Sequence, residues 1–137
     1  MSVYTQEELL NTEFKNVEHG ILGGLLKNGL YIMGANSKIG KSMIATSLAN
    51  AVADGTEYLG KQNLKGKVIY YDNDNYAHET QARLKALELG SNPNIHYVFG
   101  DDAQSLQDIK MDLEQRIENC EEYSLVIIDS FGLLTLN

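Results

Sequence analysis

Gly29-Leu30-Tyr31-Ile32-Met33-Gly34-Ala35-Asn36-Ser37-Lys38-Ile39-Gly40-Lys41-Ser42-Met43-Ile44 is the stretch that decides the fold. It opens with a short apolar run of strand length and continues into a polar, glycine-bearing loop. From Lys41 onward Met43, Ile44, Ala45, Leu48, Ala49 and Val52 recur at helical spacing. The order strand, loop, helix predicts a first core strand over 29–33 and a largely buried helix that stops at Gly55, a residue suited to left-handed termination. A loop of this kind points successive backbone N–H groups inward as an anion nest, and the helix behind it adds the positive end of its dipole.

Outward from that stretch, the same alternation repeats. Residues 67–72 form a β-type run, followed by a helical segment from about Tyr76 to Leu89 that ends at Gly90. Residues 95–99 give a third strand, and Leu106, Ile109, Leu113, Ile117 and Cys120 share one face of the helix behind it, with Cys120 read as a core residue. Leu125-Val126-Ile127-Ile128 is a fourth strand, ending at Asp129. Strands alternating with helices of this length predict an α/β fold of three layers: a mainly parallel sheet with helices on both faces. Before all of this, residues 5–14 read as a short amphipathic helix. Thr5 and Glu8 have capping-box spacing, and Leu9, Leu10 and Phe14 form an apolar side expected to dock on the core. Residues 1–19 are thus a helix and lead-in, and residues 20–137 the core.

Composition narrows the class. At 137 residues the chain is the size of one domain, and 43% hydrophobic with 22% charged residues matches ordinary globular proteins. Pro93 is the only proline, and no repeat or low-complexity tract marks a linker. The lone Cys120 has no internal disulfide partner, the first five residues are followed by no signal-like apolar run, and no segment approaches a membrane span; a reducing cytoplasm is expected. The net charge of −8 argues against DNA binding by this chain alone, and Lys61, Lys65 and Lys67 read as a solvated turn. His19, His78 and His96 lack metal-ligand spacing with one another or with Cys120.

Ala35-Asn36-Ser37-Lys38-Ile39-Gly40-Lys41-Ser42 matches the Walker A pattern, except that Ala35 replaces the first glycine and Gly34 lies one residue earlier. Gly40 admits phosphate without a Cβ, Lys41 can reach the β and γ phosphates, and the Ser42 hydroxyl can ligate magnesium. The candidate nucleotide site therefore runs from Ala35 through Met43, with ATP and Mg2+ as the expected cofactors. Asp129, at the end of an apolar strand, resembles a Walker B aspartate that would hold the metal through water. Asp72, Asn73 and Asp74 end another strand on the same sheet edge, where a carboxylate can either orient an attacking water or cap the loop. Tyr70 and Tyr71 belong to a strand, and at least one of them reads as packing rather than as a base-stacking platform.

With these residues placed, the chain resembles the RecA-like P-loop ATPases, and within them the plasmid RepA-type hexameric helicases and phage AAA-family ATPases. Besides the Lys41 loop, the resemblance rests on Gly29-Leu30-Tyr31, on Gly55-Thr56-Glu57-Tyr58-Leu59-Gly60, and on residues 68–87 with their closing Arg83-Leu84-Lys85-Ala86-Leu87. It covers roughly residues 20–134. The family places a glutamate after the second strand to position the water that attacks the γ phosphate, and here that position is Asp74, one methylene shorter. Asp74 and Lys41 are then the catalytic candidates, with Asp72 as alternate, and Ser42 and Asp129 the metal candidates. The family also carries a further strand, a polar sensor residue and an arginine or lysine finger beyond the Asp129 strand, none of which this sequence reaches. The family's strand order would then leave the Lys41 strand without its outer neighbour, an edge that can pair with another chain. A truncated gene, a fragment of a longer ATPase and completion by a partner are open readings, and weak hydrolysis, or hydrolysis that depends on a homo-oligomer or partner protein, is implied. DNA would then be engaged only indirectly or in the assembled form, and no membrane is involved. The alternatives are a nucleotide-dependent interaction module without turnover and, from another class, a small-molecule kinase, against which the absence of an arginine-rich lid argues.

Overall fold

The computed structural model describes residues 2–13, 29–36, 40–100 and 105–130. Its elements run α1 (Gln6–Asn11), α2 (Lys41–Asp54), β1 (Val68–Asp72), α3 (Ala77–Ala86), β2 (Ile95–Phe99), α4 (Leu106–Glu118) and β3 (Leu125–Asp129). The three strands form one parallel sheet in the order β2-β1-β3. All five residues of the central strand β1 are buried. That burial on both faces is why its sequence, VIYYD, does not alternate between apolar and polar.

Each face of the sheet has its own core. Val68 and Tyr70 point to a cluster with Ala45, Ala49, Val52 and Ala53 of α2, where the small alanine side chains let the helix lie close to the strands. Ile69 and Tyr71 point the other way, to Ile109 and Leu113 of α4. Helices therefore cover both faces, and the α/β architecture expected from the sequence is present. Among the described residues no helix is long and apolar enough to cross a membrane.

The three long helices end alike. In each, one residue takes a left-handed conformation, Gly55 (φ 70°), Glu88 (φ 53°) or Cys120 (φ 62°). The next N–H then reaches back five residues: Thr56 to Ala51 O at 2.9 Å, Leu89 to Leu84 O at 3.1 Å, and Glu121 to Arg116 O at 3.0 Å. This satisfies carbonyls that would otherwise lack a partner. Two expectations are corrected by it. The helix expected to continue to Leu89 stops at Ala86, because Glu88 takes the terminating conformation expected of Gly90. Cys120 is exposed rather than in the core, because it is the terminating residue of α4 and no longer on the helix face. On that face Ile109 is buried, whereas Ile117, near the end, is 64% exposed.

Two further expectations fail. Residues 29–33 do not form a strand, and Leu30 and Ile32 are 91% and 88% exposed. A short apolar run becomes a strand only when a neighbour pairs with it, and among the described residues none does. Helix α1 forms with its capping box intact, Glu8 N donating to Thr5 Oγ1 and Thr5 N to the Glu8 carboxylate, but it buries no residue. Leu9 and Leu10 stay exposed. Phe14, expected on the same apolar side, lies outside the described residues.

Candidate functional site

Parallel pairing fixes which strand ends meet. The β1–β3 register sets Asp72 opposite Asp129, so the last residues of both strands share one sheet edge. The Asn73 N–H continues the ladder by donating to Asp129 O at 2.6 Å. Helix α2 begins at the same edge, so that Ser42, 87 positions away in sequence, donates its hydroxyl proton to Asp129 Oδ2 at 2.5 Å. A second hydroxyl, that of Tyr70, donates to the same oxygen at 2.6 Å.

The start of α2 leaves its first-turn N–H groups without a side-chain cap. Gly40 caps α2 in the left-handed region (φ 93°), a conformation that favours glycine, and it offers no side chain to the first-turn N–H groups. Those groups and the helix dipole are thus directed at whatever acceptor lies in front of the helix. Lys41 bends over the loop and donates from Nζ to the carbonyls of Ala35 at 2.5 Å and Asn36 at 3.4 Å. Ala35, Asn36 and Met43 are exposed, and Gly40, Lys41 and Ser42 half-buried. Ser37, Lys38 and Ile39 lie outside the described residues.

Of the two carboxylates after β1, Asp72 is committed to structure. Its Oδ1 accepts from Asp74 N at 3.2 Å, Asn75 N at 3.0 Å and Asn75 Nδ2 at 3.1 Å, and its Oδ2 accepts from the buried Thr80 hydroxyl at 2.6 Å. That set ties the β1–α3 turn to the first turns of α3. Asp72 is buried, whereas Asp74 is exposed on the turn that Asp72 organises. The lysine turn lies elsewhere: a cleft lined by Lys65, Gly66, Lys67, Cys120, Glu122 and Ser124 sits where β1 and β3 begin, at the opposite edge of the sheet.

Both tyrosines of β1 are buried, as packing requires, but each phenol also finds a carboxylate, since Tyr71 donates to Asp112 at 2.7 Å. Burial, and next the bond to Asp129, push the Tyr70 hydroxyl well above the usual tyrosine range, so it stays protonated and acts as a donor. The bond from Tyr70 to Asp129 is the part of the site that sequence reasoning missed. The available signal was general: a buried tyrosine hydroxyl needs an acceptor, and Tyr70 precedes the strand end by two residues, on the face where Asp129 lies.

The donor set suits a hard divalent cation. The Ser42 hydroxyl and the Asp129 carboxylate, already in contact, are oxygen donors of the kind magnesium takes, and no soft ligand lies among them. Comparison with known proteins agrees with the phosphate chemistry: the family model described as an AAA domain matches residues 2–136. No curated protein and no solved structure matches the chain.

Proposed function

The chain belongs to this AAA domain family, and from that premise we propose that it is an ATP-Mg binding module related to the ATPases of DNA replication and recombination, whose hydrolysis is weak or depends on a homo-oligomer or partner protein. The observation that carries the reading is the 2.5 Å bond between Ser42, at the start of the phosphate-loop helix, and Asp129, at the end of β3. It brings together, across 87 residues of sequence, the two side chains that this reading assigns to magnesium.

Each residue then has a task. The first-turn N–H groups of α2 bind phosphate oxygens, with Gly40 keeping the approach clear. Lys41 exchanges the carbonyls of Ala35 and Asn36 for the β and γ phosphate oxygens. Ser42 would hold magnesium directly and Asp129 its water shell. When bound, the metal neutralises charge on the β and γ phosphates and orients them for transfer. Asp74, exposed beside this edge, would orient the attacking water and accept its proton. Residues 20–137 act as the ATP-binding core and residues 1–19 as its lead-in, with DNA engaged only by the assembled form.

One observation favours a second reading, a nucleotide-dependent interaction module without turnover. The other carboxylate near the strand end, Asp72, is saturated by four donors, which leaves the short side chain of Asp74 alone to handle the water. Phosphate release from ATP, followed across protein concentration with and without single-stranded DNA, separates the two. The leading reading expects release per chain to rise with concentration or with DNA. Tight ATP binding with no release under any of these conditions would establish the second.

A further inference from the structure

Tyr70 joins the hydrophobic core to the chemistry. Its ring is fully buried on the α2 face of β1, 5.1 Å from the ring of Tyr97 between centroids. Its pairing partner across the β1–β3 ladder is Ile127, so a phenol leaning along the strand reaches Asp129, two residues further on. There it donates to Oδ2 at 2.6 Å, while Ser42 donates to the same oxygen at 2.5 Å. A carboxylate oxygen accepts through about two lone pairs, so these donors fill Oδ2. Among the described residues no donor reaches Oδ1. A phenylalanine would pack the same space, so packing explains the ring and leaves the hydroxyl to be explained.

We propose that Tyr70 is a positioning residue for the metal. Its hydroxyl pins Oδ2 of Asp129, fixing the carboxylate rotamer and leaving Oδ1 as the oxygen offered to the magnesium water shell. The inference rests on the reading of Ser42 and Asp129 as a magnesium site. Outer-shell partners change metal affinity by about 10- to 100-fold when removed. Tyr70 acts one contact further out, through Asp129, so the low end of that range applies: without its bond the carboxylate must be ordered at the moment of binding.

Tyr70→Phe keeps the ring and deletes the donor. Calorimetric titration of ATP, once in excess magnesium and once in EDTA, gives the ratio of the two affinities for wild type and variant. The ratio is expected to fall about tenfold in the variant. A ratio within about twofold of wild type, whether both affinities hold or both decline together as general loosening of the core would cause, overturns the proposal. Adding Tyr70→Phe to Asp129→Asn tests the route, since residues acting as one unit are not additive. No further fall in the ratio is expected, and a further tenfold fall overturns action through Asp129. A wild-type ratio near one would overturn the proposed function and this inference together. A large wild-type ratio that Tyr70→Phe leaves unchanged overturns the inference alone.

Discussion

Gly66 shows how tightly single residues are constrained at the edge of the sheet opposite the site. A Cβ built there would lie 1.9 Å from Ser124 Oγ and 2.5 Å from Ser124 Cβ. The Ser124 N–H donates to Lys67 O at 2.8 Å, which holds the start of β3 against the start of β1. Neither strand can move aside without opening the ladder. Gly66→Ala is therefore expected to destabilise the fold by about 1–3 kcal/mol, as overpacking does, measured by urea unfolding. Pairing it with Ser124→Gly removes both clashing atoms and should recover most of the loss. An unaltered midpoint in the single variant would contradict the account. The candidate phosphate-site residues were more legible than this clash. Gly40, Lys41 and Ser42 stand out in the sequence because a phosphate loop would need those residue types in that order. The bonds from Tyr70 and Ser42 to one oxygen of Asp129, by contrast, depend on strand register, which no local pattern encodes.

Among elements, α4 is fastened to the strands by a polar network beyond its last turn. Arg116 donates to Asp112 at 2.8 Å and to Glu121 at 3.5 Å, Tyr123 donates to Glu121, and His96 of β2 lies 2.9 Å from the Tyr123 hydroxyl. The Tyr123 hydrogen bond, with Arg116 and His96 adding to it, holds the Glu121 carboxyl below its ordinary value of 4.5 against an opposing contribution from burial. A depressed carboxylate stabilises the fold fully above its unfolded value, and that stabilisation is lost as pH falls through the lower folded value. Wild type should accordingly melt above Glu121→Gln at neutral pH, with the gap closing as the solution is taken below pH 4.5. A gap that is constant down to acid would contradict this assignment. Elements differ in how far the sequence reveals them. The runs at 68–72, 95–99 and 125–129 are strands because each is apolar and is flanked by a partner strand in the sheet. The run at 29–33 has the same composition, but no described strand pairs with it, and pairing decides. Helix ends were misjudged where Glu88 and Cys120 adopt a conformation usually left to glycine.

For the whole molecule, the order β2-β1-β3 of the described strands places the most buried of them between the other two, and β3, with Asp129, beside it. Helix α2 then brings its first turn, with Ser42, to the same end of the sheet as Asp72 and Asp129. The parallel α/β class was legible from the alternation of elements, whereas the order β2-β1-β3 and the register that sets Asp72 opposite Asp129 came from the structure. On the proposed function, this strand-end edge binds MgATP through the start of α2. Lys41 would supply a positive charge to the phosphates, and charge-assisted bonds to phosphate contribute about 1.5–3 kcal/mol each, or roughly 10- to 100-fold in affinity. Lys41 makes its bonds to carbonyls of its own exposed loop, so Lys41→Ala should leave the folded core intact. Calorimetric titration of MgATP into wild type and Lys41→Ala is the most direct test. Saturable binding at one site per chain is expected in wild type, weakened at least roughly tenfold in the variant. Equal binding by both, or none by wild type, would contradict this reading.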